Sequence, residues 1–211
     1  PGEKFPHHWG KRPVSNDGGQ YRHRARLKVF ETNKYYTYLL SDATESYDST
    51  KVQLVLRHFL FIYPDYFIIL DRVVTTDSSY PVKWLLHTQN EPQTTDSTFW
   101  AQEGKGQLFG RVLWPQKVKI AKIGGPDKEF FSDGRNWPIE PTFYQKMLKK
   151  CKGKPPLVGN WRLEIMPAEN KKSVVFLVVM QAADEKETRM IKSNWQVNSA
   201  DYQVKLFTRE G

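Results

Sequence analysis

One cysteine, Cys151, is the chain's whole supply of thiol, and it lies inside the basic run "KKCKGK" (149–154). An intrachain disulfide and a thiolate metal cluster are therefore excluded. Long apolar runs are missing as well: Arg57, His58, Asp65, Asp71 and Arg72 interrupt the most hydrophobic region, which falls short of the roughly 18 uninterrupted apolar residues of a membrane helix. No membrane partner is expected. Histidine is sparse, and His7, His8, His23, His58 and His87 show none of the paired spacings by which one strand or helix holds zinc. His7 and His8 are adjacent, so on a strand they face opposite ways. The expectation is no metal site and no cofactor in this chain. Also missing are a Gly-x-Ser-x-Gly elbow and a phosphate loop; "GGPDKE" (124–129) lacks the Lys-Ser/Thr that phosphate binding needs and reads as a turn. Paired carboxylates for glycoside hydrolysis stay open, because their separation is a spatial quantity. No basic-then-apolar leader precedes the fold and the first residue is Pro1, so the chain reads as the middle or end of a longer product.

What is present points to β-structure. The 211 residues are 39% hydrophobic and 14% aromatic, enough for one substantial core or two small ones. Short segments rich in β-branched and aromatic residues recur between Gly, Pro, Asn and Asp: 35–40, 53–63, 66–75, 82–87, 107–114, 118–123, 161–166, 173–182 and 202–207. Only "PTFYQKMLKK" (141–150) reads as a short helix. The spacing predicts an all-β antiparallel sandwich, with long loops at 124–137 and 149–159.

"RHFLFIYPDYFIILDRV" (57–73) is the most hydrophobic stretch, and its middle, Tyr63-Pro64-Asp65-Tyr66, asks for a turn. Val52, Leu54 and Leu56 alternate with polar residues, whereas both faces are apolar from Phe59 onward. This predicts a central hairpin that becomes covered on both sides. Asp71 and Arg72 then need partners on neighbouring strands, or one of them is a functional charge.

Lys and Arg number 32 against 23 Asp and Glu, a net charge of +9 that attracts polyanions. The best binding candidate is "YRHRARLKVF" (21–30): as a strand it projects Arg22, Arg24, Arg26 and Lys28 from one face and His23, Ala25, Leu27 and Val29 from the other. Guanidinium groups there would bind sulfate or carboxylate bidentately. The alternative is a solvated face paired with acids on the next strand. For catalysis the weak candidates are His58, on an apolar strand, and His87, ending a strand beside "TQNEP"; either needs a carboxylate neighbour to act as a general base. Nucleic acid is disfavoured as a partner because no RNA-recognition consensus or helix-turn-helix pattern is found. A free-standing polyanion-binding module, using the cations with Tyr35, Tyr36 and Tyr38, remains the alternative function.

At the hairpin a resemblance becomes specific. "KVQLVLRHFLFIYPDYFIILDRVVTTDSSYPVKWLLHTQNEP" (51–92) resembles the C-terminal β-region of heparinase II and the wider heparinase II/III-like polysaccharide lyases. "SNDGGQ" (15–20), "YYTYLLSDATESY" (35–47), "KGQLFGRVLWP" (105–115), "IGGPDKEF" (123–130) and "NWRLEIMPAENKKSVVFLVVMQ" (160–181) resemble successive family blocks in the family's own order. The resemblance covers residues 1–182; residues 183–211 read as further strands of the same or an adjoining small β unit. It implies a fragment of a supersandwich-type β-domain, from a parent that joins it to an N-terminal helical toroid and cleaves heparin- or heparan-like or alginate-like polysaccharide by β-elimination. It also implies a periplasmic or secreted protein of the bacterial cell envelope. In the family the reacting groups are largely Tyr and His residues of the toroid and first sandwich strands. The His-x-His-type segment and the Thr-x-x-His-Asn element lie before the point that Pro1 resembles. The implied role is to complete the sandwich and hold the wall of the cleft, with the chain inactive alone.

Overall fold

A computed structural model describes residues 25–132, 134–153, 159–197 and 202–207. Thirteen strands follow in chain order: β1 (Arg26–Thr32), β2 (Tyr36–Asp42), β3 (Val52–Ile62), β4 (Tyr66–Thr75), β5 (Trp84–Thr88), β6 (Gln93–Thr94), β7 (Thr98–Glu103), β8 (Gly106–Trp114), β9 (Val118–Gly124), β10 (Trp161–Pro167), β11 (Ser173–Asp184), β12 (Lys192–Val197) and β13 (Tyr202–Phe207). The one α-helix described, α1 (Pro141–Lys150), begins on a proline, whose fixed φ and missing N–H suit a first helical turn. Every strand read from the sequence is found. The short β6 and β7, in the polar stretch around "QTTDSTFWAQE", are additional.

The strands form an eight-stranded antiparallel sheet in the order β1-β2-β3-β4-β11-β8-β7-β6, a three-stranded sheet β5-β10-β9, and the hairpin β12-β13. This is an all-β sandwich. Ile69, Phe99, Val112, Phe176 and Val178 of the large sheet meet Trp84, Leu163 and Ile165 of the small one. On the opposite face of the large sheet Leu113, Leu177 and Val179 pack with Ile68, Leu70, Trp114, Met190 and Val204. Polar pins hold that second layer: Arg111 Nη1 donates to Ser193 Oγ at 2.8 Å, and the Ile191 amide donates to Gln181 Oε1 at 2.7 Å.

The β3-β4 hairpin is central and turns at Tyr63-Pro64-Asp65, where the Tyr63-Pro64 peptide is cis. Its covering is less complete than its two apolar faces predict. No residue of β3 is fully buried. The reason is size: the small sheet lies over β4, β11, β8 and β7, and the β12-β13 hairpin covers only the middle of the other face. β3 therefore lies at the margin of both layers. Its aromatic residues compensate by packing on their neighbours, with Phe61 stacked on Phe67 at a centroid distance of 4.5 Å and Tyr63 edge-on to Phe61 at 5.0 Å.

Asp71 and Arg72 do not pair with each other, because adjacent strand residues point to opposite faces. Asp71 is 6% exposed and accepts two bonds from Arg57, Nε at 2.7 Å and Nη2 at 2.6 Å. Arg72 emerges on the other side, exposed.

Candidate functional site

Register decides which side chains can act together, since directly paired residues share a face of a sheet. On the face of the large sheet that carries β12-β13, Arg26, Asp42, Leu56, Arg72 and Val175 form one row. Val29, Leu40, His58, Leu70 and Leu177 form the next, and Glu31, Tyr38, Leu60, Ile68 and Val179 the third. Across the β1-β4 half of this face, Tyr36, Tyr38, His58 and Arg72 are therefore gathered on one side of the sandwich.

Two bonds order the cluster. Tyr38 Oη lies 2.9 Å from His58 Nδ1, and the Tyr36 hydroxyl donates to Glu31 Oε1. Burial lowers the His58 pKa, and the positive charge of Arg72 lowers it further; Asp71 opposes both. The imidazole is thus neutral at pH 7, with one ring nitrogen engaged by a phenol. The Glu31 carboxylate holds the Tyr36 phenol above its ordinary value, so that hydroxyl keeps its proton. Chemically the group offers a neutral imidazole, two phenols and a cation. Replacing Arg72 with glutamine should raise the His58 pKa, followed as the chemical shift of its ring protons against pH. No change on losing the cation would show that burial alone sets it. Because the folded-state pKa is depressed, His58 contributes stability that is present above its unfolded value near 6.5 and lost as pH falls through the folded value.

The basic ladder is only partly within view, since Arg22 and Arg24, with His7, His8 and His23, lie outside the described residues. Arg26 Nη2 bonds Glu45 Oε2 at 2.7 Å, and Lys28 Nζ stands 3.9 Å from Asp42 Oδ2. The even alternation expected of 21–30 also fails: a bulge between Leu27 and Val29 leaves Lys28 as the extra residue and puts Val29 opposite Leu40. Val29 thereby joins the face of Arg26, and Leu27 and Phe30 take the other. Both described cations thus face acids on neighbouring segments.

His87 ends β5 opposite Arg162 of β10. Burial, then Arg162, lowers its pKa. No carboxylate bonds it among the described residues. The nearest acid in the register, Glu164, is committed: Lys83 Nζ donates to it at 2.6 Å and Arg162 at 2.8 and 3.0 Å. Burial acts to raise the Glu164 pKa, but those bonds outweigh it and hold the carboxyl below its ordinary value. The general-base arrangement proposed for His87 is not assembled among these residues. Among the described residues, no group of three or more His, Cys, Asp and Glu converges to hold a metal, and no helix is long and apolar enough to cross a membrane.

The sequence reading missed the Arg57-Asp71 pair and the approach of Tyr38 to His58. A signal existed for the first: Arg57 and Asp71 stand seven residues before and after Pro64, so a hairpin centred there makes them cross-strand partners. Among solved structures, the chain is similar to the heparan sulfate lyase HepC from Pedobacter heparinus over 87% of its own length, with a TM-score of 0.52 and 14% identity. A heparinase III gene product matches over 86%, with a TM-score of 0.54 and 15% identity. The fold is that of a heparinase II/III-like β-region. This β-region spans 28% of the HepC chain and 26% of the heparinase III chain. No protein-family model and no curated protein matches the sequence.

Proposed function

We propose that the chain is the β-sandwich portion of a polysaccharide lyase that cleaves acidic, uronate-containing polysaccharide by β-elimination. In this reading it scaffolds the substrate cleft, docks against a helical toroid of its parent, and works in the periplasm or outside the cell. The observation that supports it is the backbone likeness, which runs through 87% of this chain but only 28% of the lyase chain it matches. Elimination requires a group to neutralise the uronate carboxylate, a base for the adjacent C–H and an acid for the leaving oxygen. The bond between Tyr38 and His58, with Arg72 acting on the same imidazole, favours a second reading in which this face supplies one of those groups.

The test is the ultraviolet absorbance of unsaturated uronate released from heparan sulfate or alginate, by this chain and by the longer product of its gene. The expected result is turnover by the longer product and none by the chain alone. A longer product inactive on every uronate polymer would overturn the lyase reading. Loss of turnover in the longer product on His58→Ala, with folding retained, would move the chain from scaffold to catalyst.

A further inference from the structure

Where the β8-β9 turn meets the β10-β11 turn, the sandwich opens into a cleft of about 310 Å³ that none of the groups above occupies. Trp114, Pro115 and Lys117 form one wall; Pro167, Lys171 and Val175 contribute to the other. Backbone bonds fix the walls. The Ala168 amide donates to Lys117 O at 3.0 Å, and Thr75, itself 4% exposed, donates its amide to Lys172 O at 2.8 Å. The two turns and the end of β4 are therefore joined, and the cleft is preformed.

Its lining combines apolar surface with a net positive charge. Trp114, Pro115, Pro167 and Val175 offer apolar surface, and the charged side chains in the lining are Lys117, Lys171 and Glu169, two cations against one carboxylate. Lys117 has no acidic partner among the described residues. Lys171 reaches only Glu169, at 4.0 Å, with both side chains mostly in solvent, a geometry worth little. Val175 carries the cleft toward the face described above, because its cross-strand partner is the exposed Arg72. Concave, largely apolar surface with a few placed polar groups is the usual form of a small-ligand site.

We propose that this cleft is a subsite for one carboxylate- or sulfate-bearing sugar of an acidic oligosaccharide, its anionic group held by Lys117 and Lys171 and its ring lying on the apolar wall. The subsite rests on the polysaccharide reading but lies apart from the Tyr38-His58 cluster. From a strand spacing near 4.8 Å and a rise near 3.3 Å per residue, two strands and two residues separate His58 from Val175 by roughly 12 Å. A chain of several sugars covers that span, whereas a single sugar does not.

The experiment is calorimetric titration of the 211-residue chain with an unsulfated uronate tetrasaccharide, a sulfated heparan tetrasaccharide, a neutral cellotetraose and single-stranded DNA. K117Q/K171Q should weaken the acidic tetrasaccharides by about tenfold or more, as loss of two charge-assisted contacts requires. K146Q/K149Q removes the same charge from α1 and should leave the affinity within about twofold, since distant solvated charges are screened. Which tetrasaccharide suffers more identifies the anionic group. Equal weakening by both double variants, or none by K117Q/K171Q, overturns the subsite and leaves the lyase reading standing. DNA binding as tight as the sugars, and equally sensitive to K117Q/K171Q, overturns the sugar assignment. A chain that binds no acidic tetrasaccharide overturns the subsite, while the lyase reading is decided separately by turnover in the longer product.

Discussion

Arg57→Leu should cost about 3–5 kcal/mol of folding stability, because it leaves the carboxylate of Asp71 buried without its partner. Asp71 is 6% exposed and lies between Arg57 of β3 and Phe176 of β11 in the row that faces the core, so the apolar neighbour on its other side cannot replace the guanidinium. Half the Arg57 side chain is in solvent, and the pair as a whole is worth less than its breakage suggests. Arg57→Leu with Asp71→Leu should therefore recover most of the loss. Urea unfolding of the two single variants and the double variant measures this directly. A loss below about 1 kcal/mol for Arg57→Leu would mean that water reaches the carboxylate and that the pair is an ordinary surface bridge.

Gly110→Val should cost about 3 kcal/mol or more, at the upper end of what overpacking does. A Cβ at Gly110 would lie 2.0 to 2.5 Å from three ring atoms of Phe99, its cross-strand partner. Phe99 is 2% exposed and packs against Trp84 with ring centroids 6.2 Å apart, so it has nowhere to move. The glycine is a seat for the ring. Phe99→Ala alone should cost about 3–5 kcal/mol by leaving a cavity. The two changes together should cost far less than their sum, because the valine fills space that the ring has left. Additive losses in thermal or urea unfolding would show that the ring shifts to admit the valine and that the contact does not fix the β7-β8 pairing.

The sandwich was legible in the sequence because its long strands alternate or run apolar between clear turn residues. The hairpin around Pro64 is the plainest case: its turn, arms and central position all follow from one segment. β7 was not legible, since "TFWAQE" places Phe99 and Ala101 in the core yet offers only two apolar positions at strand spacing. The failed alternation at Lys28 has a related cause. A bulge is one residue of slippage between two strands, and no local pattern in 21–30 announces it. The site divides in the same way. His58 was visible as a histidine on an apolar strand, but its bond to Tyr38 depends on the β2-β3 register, which no motif encodes. The cleft beside Trp114 depends on two turns about fifty residues apart meeting in space, and a single sequence holds no trace of such a meeting.

Among the described strands, β1 is the outermost of the large sheet, and its residues are exposed along its whole length. An outer strand of that kind is a template on which a second molecule can add its own strand and begin a fibre. The bulge at Lys28 spoils the template, because it breaks the regular spacing of outward N–H and C=O groups and plants a solvated ammonium at the break. One irregular residue is thus expected to hinder the addition of a second chain's strand at this edge, an effect on self-association that lies far from any chemistry.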